Sequence, residues 1–177
     1  MSHLILLLML KLNVLSTISS FQKLFDNGMI CSSEQAAIVD AAIYDEVKAE
    51  FEAHQCVIIS KKADIAKLEK VVLNEARTAV NGAIVGHSAM EIAEKAGLKV
   101  PEGTKMLLAE IPDATMEHPL ALEKLSPVLA LIKSDGVEDG FKKAEGMLNL
   151  GGLGHKAVIH TENEELQLQY GIRMNAC

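Results

Sequence analysis

Cys31 is the residue of this chain whose type and neighbours best suit covalent chemistry. Three typical turn residues, Asp26, Asn27 and Gly28, come shortly before it. A thiol just past a tight turn, beside free backbone N–H groups, can ionise and attack a carbonyl carbon. The same N–H groups can stabilise the oxyanion that forms. The competing interpretation is that Cys31 is a small buried hydrophobic residue, as many lone cysteines are.

A glycine-rich segment, Gly151-Gly152-Leu153-Gly154, leads to His155. The segment follows a predicted helix and precedes a predicted strand, whereas a phosphate-binding loop leads into the N-terminus of a helix. These glycines therefore predict the end of a helix and a turn. The histidines lack the spacing of metal ligands, so the sequence predicts no metal site.

Alternating strand and helix signals indicate the elements that must position these residues. Predicted strands cover residues 35–40, 56–60, 105–110, 128–133 and 156–160. Predicted helices cover residues 45–53, 64–76 and 137–148. A fourth predicted helix starts with the capping box of Ser88 and Glu91 and runs to residue 96, and a fifth is capped by Thr161 and Glu164 and runs to about residue 170. This order predicts an α/β domain with a largely parallel sheet covered on both faces.

The first twenty residues differ in character from the rest. Residues 4–10 are an apolar run that is too short to span a bilayer and lacks the basic start of a secretory signal. A buried helix is the favoured interpretation over a targeting segment. We therefore treat residues 1–20 as an atypical apolar segment and place the main domain at residues 21–177.

Composition narrows the classes of function. The chain has 177 residues, 49% of them hydrophobic, which is enough for one domain with its own core. A net charge of −7, only 3% aromatic residues and no basic stripe argue against nucleic-acid binding. Three cysteines without a CxxC pair fit a reducing, cytoplasmic location. Neither a membrane nor a nucleic acid is expected as a partner.

Several segments, in the same order, resemble the CoA-acylating aldehyde dehydrogenases, a branch of the aldehyde dehydrogenase superfamily. The closest resemblance is to the aldehyde dehydrogenase half of the bifunctional aldehyde–alcohol dehydrogenases. The matching segments are Phe25-Asp26-Asn27-Gly28 with Cys31 and Ser33-Glu34-Gln35, residues 39–51, residues 83–86, Glu123 to Pro127, and Gly151 to His155. Met29 stands where the hydrolytic aldehyde dehydrogenases carry a glutamine, which favours the acylating branch.

The resemblance implies a three-layer α/β catalytic domain and a mechanism centred on Cys31. The Cys31 thiolate would attack a small aldehyde to give a thiohemiacetal, and hydride would leave to NAD, so that a thioester remains on Cys31. Coenzyme A, as co-substrate, would then take the acyl group. The reverse direction would reduce acetyl-CoA to acetaldehyde.

Two further site residues are implied by the same resemblance. Glu123 lies four residues before Pro127, as does the family glutamate that holds the nicotinamide ribose, and a carboxylate can accept hydrogen bonds from both ribose hydroxyls. Leu125 replaces the family phenylalanine, so a ring stacked on the nicotinamide is lost. The alternative is a surface Glu123-Lys124 pair. His155 would border the active site, or it is a half-buried structural histidine.

The resemblance covers only the cysteine-bearing part of the family's catalytic unit. No strand, glycine-rich turn and helix with a downstream acid, as in a dinucleotide site, is found in the sequence. We therefore expect a fragment with a truncated or frame-shifted start that makes little or no NADH alone, and a homo-oligomer in the full-length enzyme. The alternatives are a non-catalytic product or interaction module that binds full-length subunits and, more distantly, a hydrolase using Cys31 and His155.

Overall fold

The computed structural model describes residues 5–9, 22–30, 33–151, 154 and 156–176. In chain order, the strands are β1 Ile5–Met9, β2 Glu34–Asp40, β3 Cys56–Ile59, β4 Met106–Glu110, β5 Val128–Ser134 and β6 Lys156–His160. The helices are α1 Tyr44–Ala53, α2 Lys62–Val72, α3 Ala89–Lys95, α4 Val137–Gly151 and α5 Glu164–Arg173. Three short 3-10 segments cover Gln22–Gly28, Gly82–Ile84 and Pro119–Ala121.

The six strands form one sheet in the order β3-β4-β5-β2-β1-β6, and each neighbouring pair is parallel. Parallel neighbours need crossover connections. Helices α2 and α3 lie in the connection from β3 to β4, whereas the connection from β4 to β5 contains only the 3-10 segment Pro119–Ala121. The central strand β2 is buried from Gln35 to Val39, as expected for a strand covered on both faces.

Two separate apolar clusters lie on the two faces of the sheet. Alternate residues of β2 divide between them, with Ala36 and Ile38 in one cluster and Ala37 and Val39 in the other. Helix α1 covers the second face, and buried residues of α2, α3, α4 and α5 belong to the cluster on the first face. The predicted three-layer α/β domain with a parallel sheet is therefore confirmed.

The prediction of a buried helix within residues 1–20 is wrong for the described part of that segment. Ile5–Met9 is a strand, and it pairs in parallel with β2 on one side and β6 on the other. A short continuous apolar run fits a buried strand and a buried helix equally well by its periodicity, so the tertiary partners decide. The predicted domain boundary at residue 20 lies outside the described residues.

Several helix boundaries also differ from the predictions, most clearly the end of α2 and the start of α5. Helix α2 ends at Val72 rather than near residue 76, because Leu73 leaves the helix to form an antiparallel bridge with Val80. Helix α5 is capped by Asn163 rather than Thr161, since Asn163 Oδ1 accepts hydrogen bonds from Glu165 N and Leu166 N in the first turn.

The predicted capping box of α3 is confirmed. The Ser88 hydroxyl accepts from Glu91 N, and the Glu91 carboxylate accepts from Ser88 N. Of the helices that the structure describes, none has both the length and the apolar character needed to cross a membrane.

Candidate active site

The segment before Cys31 is a tight left-handed turn, as its composition predicts. Asp26, Asn27 and Gly28 have φ values of 49°, 51° and 74°. Met29 N closes the turn by donating to Asp26 O at 3.2 Å. Asparagine, aspartate and glycine tolerate this region of backbone conformation better than other residues do. The turn-forming role expected of Asn27 is confirmed.

This turn is held between two distant segments of the chain. The Asn27 side chain donates to Gly86 O at 2.9 Å. Gly28 lies against the backbone of Ser126, so closely that an added Cβ atom would be 2.7 Å from Ser126 O. The residues that lead to Cys31 therefore contact both the 83–86 segment and the 123–127 segment, two of the segments that carry the family resemblance.

Cys31 and His155 themselves lie outside the described residues, but their neighbours are placed. Ser33 N donates to Ile30 O at 2.9 Å, so the backbone on the two sides of Cys31 and Ser32 is joined. On the other segment, Gly151 ends α4 shortly before His155.

Glu123 is half-buried and lines a pocket of about 280 Å³. The other lining residues are Thr78, Ala79, Val80, Leu122, Leu150 and Gly151. The pocket thus joins Glu123 to the first residue of the glycine-rich segment that precedes His155. Within the described part of the chain, no residue donates a hydrogen bond to the Glu123 carboxylate.

Two lysines beside this region are fully buried, which the sequence analysis did not predict. Lys23 and Lys124 both have 0% of their surface exposed. The interpretation of Glu123 and Lys124 as a solvated surface pair is therefore wrong for Lys124. Its Nζ atom lies 2.9 Å from Gln35 O and 2.7 Å from both Leu120 O and Leu122 O. Three carbonyl acceptors match the three N–H donors of a lysine ammonium.

Lys23 has a different environment. Its Nζ donates to Gln35 Oε1 at 2.8 Å. Burial lowers the pKa of Lys23 to about 7, although the nearby Glu34 and Glu123 carboxylates oppose this shift. Burial also raises the pKa of Glu34 and lowers that of Lys124 well below its ordinary value. The sequence places Lys124 in the family-like segment from Glu123 to Pro127, but only the fold shows that this lysine is buried.

Cys56 shows the properties of an unreactive structural thiol. It is buried at the start of β3, and burial raises its pKa to about 11. The strand predicted to begin at residue 56 is confirmed. In the described part of the chain, no group of three or more His, Cys, Asp or Glu side chains is arranged to hold a metal ion.

Comparison with known proteins identifies the family. The aldehyde-alcohol dehydrogenase of Streptococcus pneumoniae serotype 4 is 47% identical over 161 residues, which are 87% of this chain and 18% of that protein. The acetylating succinate-semialdehyde dehydrogenase of Clostridium kluyveri is 36% identical over 80% of this chain and 31% of its own length. The chain is a relative of the acylating aldehyde dehydrogenases. A scan against models of protein families gives no match.

The fold of an acetylating aldehyde dehydrogenase agrees with this relationship. The crystal structure of the enzyme from Geobacillus thermoglucosidasius superposes with a TM-score of 0.90 at 32% identity, over 99% of this chain and 38% of that one. The chain thus spans less than a fifth of the aldehyde-alcohol dehydrogenase and less than two fifths of this acetylating enzyme.

Proposed function

We propose that this chain is the nucleophile-bearing part of a NAD-dependent, CoA-acylating aldehyde dehydrogenase that acts on a small aldehyde. The observation that carries the proposal is the packing of the turn before Cys31 against the segment of Glu123. The kinship with acylating aldehyde dehydrogenases supports the reaction class.

Cys31 would be the nucleophile. Its sulfur bonds to the carbonyl carbon of the aldehyde, and the carbonyl π electrons move to the oxygen, where backbone N–H groups beside Cys31 can stabilise the charge. After oxidation, the acyl group is held on Cys31 as a thioester. The thiol of coenzyme A then bonds to that carbon, and the Cys31 sulfur leaves, so that acyl-CoA is released and the thiolate is restored.

NAD, when bound, supplies the hydride acceptor for this reaction. The described residues fit a ribose at Glu123, since its half-buried carboxylate lines a pocket and has no described donor of its own. A carboxylate in that place can accept hydrogen bonds from two neighbouring hydroxyls. His155 would border the same site, because Gly151 lines the pocket together with Glu123.

We further propose that the chain acts only as part of a longer, cytoplasmic and homo-oligomeric enzyme. The matched part of the relatives is small, and the sequence shows no glycine-rich dinucleotide turn. The isolated chain should therefore form little or no NADH from acetaldehyde, CoA and NAD.

A second candidate is a non-catalytic module that binds full-length subunits. It is favoured by two apolar side chains one turn apart on α5, Leu168 and Ile172, which are 65% and 75% exposed. Such exposed pairs suit a protein interface. This candidate needs no reaction at Cys31.

A graft tests the proposed function. Residues 22–176 of this chain would replace the matching segment of the Streptococcus pneumoniae aldehyde-alcohol dehydrogenase, and NADH formation from acetaldehyde, CoA and NAD would be measured. We expect an active graft whose activity is abolished by Cys31→Ala and retained in Cys56→Ala, a matched control at a buried, unreactive thiol. A graft with the parent's oligomeric state and melting temperature but without activity would overturn the proposal, as would an active Cys31→Ala variant.

A further inference from the structure

Gln35 connects three segments of the candidate site through one buried amide. Its Oε1 atom accepts from Lys23 Nζ at 2.8 Å and from the backbone N of Lys124 at 3.1 Å. Its Nε2 atom lies 3.2 Å from Ser33 O and 3.4 Å from Ser33 Oγ. Lys23 precedes Cys31, Ser33 follows it, and Lys124 is next to Glu123, so this amide links both sides of the nucleophile to the ribose-binding segment.

The amide has no alternative partners, because it is inside the protein. Gln35, Lys23, Ser33 and Lys124 all have 0% of their surface exposed. Two acceptor lone pairs and two N–H donors are the full capacity of a glutamine amide, and all four have a protein partner here. A buried amide whose four bonding positions are all filled is held in place, and its loss leaves several buried polar groups unpaired.

The backbone of Gln35 adds a second connection between the same segments. Its carbonyl oxygen accepts from Lys124 Nζ, which also donates to Leu120 O and Leu122 O. The residues around Glu123 are thus joined to the start of β2 both through the Gln35 side chain and through the Lys124 side chain. Strand β2 begins three residues after Cys31.

We propose that Gln35 is a positioning residue that holds the Cys31 segment in register with the Glu123 segment. This inference rests on the proposed function, in which a carbon bonded to Cys31 must face a ring whose ribose is held by Glu123. Reacting atoms must approach to about 3–3.5 Å, and a misplacement of about 1 Å can slow a reaction about a hundredfold. Gln35 does not touch the substrate in this account and acts only through the two segments.

The first measurement is hydrogen–deuterium exchange of the full chain with Gln35→Met, a substitution of similar length that removes all four side-chain hydrogen bonds. We expect faster exchange in residues 23–30 and also in residues 120–126, which are distant from position 35 in sequence. Gln167→Met, at an exposed glutamine that bonds only within its own helix cap region, is the matched control. Unchanged exchange in residues 120–126 of a folded Gln35→Met chain would overturn the proposal.

The second measurement compares two reactions of Cys31 in the full chain. Acetyl transfer from p-nitrophenyl acetate forms a bond from Cys31 sulfur to the acetyl carbon and releases p-nitrophenol, and it needs an oriented oxyanion site. Alkylation by iodoacetamide forms a bond to a saturated carbon and releases iodide, and it does not. We expect Gln35→Met to slow acetylation about tenfold or more and alkylation less than about threefold.

The conservative variant Gln35→Glu separates positioning from simple loss of stability. Its carboxylate still accepts from Lys23 Nζ and Lys124 N but cannot donate to Ser33 O as Nε2 does, so acetylation should be faster than in Gln35→Met and slower than in the wild type. Equal slowing of both reactions, or no rescue in a folded Gln35→Glu chain, would overturn the positioning role. If wild-type Cys31 is not acetylated, the proposed function fails, and hydrogen exchange alone then decides whether Gln35 joins the two segments.

Discussion

Replacing Gly28 with alanine should destabilise the protein more than the same change at Gly86 or Gly97. Gly28 has a φ of +74°, in the left-handed region that alanine rarely adopts. A Cβ atom at this position would lie 2.7 Å from Ser126 O, 2.8 Å from Ser126 C and 3.1 Å from Lys23 O. All three are backbone atoms, so no side-chain rotation can remove the contact.

Two contributions give the expected magnitude. A left-handed conformation costs a residue with a Cβ atom about 1–2 kcal/mol. Forcing an extra methyl group into a packed site costs about 1–3 kcal/mol more. Gly28→Ala should therefore lower the free energy of unfolding by about 2–5 kcal/mol, and it should move the turn before Cys31 away from Ser126.

Two other glycines allow the contributions to be separated. Gly97 has a φ of +63° and no neighbouring atom within 4 Å of an added Cβ, so Gly97→Ala carries the conformational cost alone. Gly86 has a φ of +75°, and its Cβ would meet the Met29 side chain, which can move. Urea unfolding, followed by circular dichroism, should show the smallest loss of stability for Gly97→Ala, a larger loss for Gly86→Ala and the largest for Gly28→Ala.

The comparison of Gly28 with Gly97 gives the decisive result. Their φ values are similar, so the difference between the two losses measures the contact with Ser126. If Gly28→Ala were no more destabilising than Gly97→Ala, the turn would not lie against Ser126, and the argument that joins Cys31 to Glu123 would fail.

Three other predictions follow from the described contacts. Ser88→Ala should lower the stability by about 1 kcal/mol because it removes the capping box of α3, whereas Ser88→Asp should largely retain it; equal melting temperatures of Ser88→Ala and the wild type would contradict this. Cys56 should resist iodoacetamide at pH 8 until urea unfolds the chain, because with a pKa of about 11 only about one thiol in a thousand is ionised there; rapid alkylation in the native chain, seen by peptide mass spectrometry, would be evidence against its burial. Between pH 7 and about pH 10, Lys23 binds a proton in the unfolded chain that its buried amine has released in the folded chain, so this group makes the unfolding free energy rise with pH. The difference in unfolding free energy between the wild type and Lys23→Met should therefore change across that range. A constant difference would show that Lys23 has an ordinary pKa.

The sequence predicts much of the fold because its local signals are strong. The apolar run in β2 and the helical spacing of Val47 and Phe51 in α1 define those elements, and both residues are buried. The capping box of α3 follows from two residues three positions apart. Local signals are ambiguous for Ile5–Met9, whose apolar run suits a strand or a helix, and for α5, where Thr161 and Asn163 are both good capping residues.

In the candidate site, too, some features can be predicted from the sequence and others depend on the tertiary structure. Residue types and short-range geometry point to Cys31 and to the tight turn at Asn27 and Gly28, whereas Glu123, His155 and the family are implied by the resemblance of several segments in the same order. Only the tertiary structure buries Lys23 and Lys124 and makes Gln35 their common partner. The contact between residues 35 and 124 joins positions 89 residues apart. Parallel strands that are far apart in sequence bring these two positions together, and no local pattern encodes that pairing.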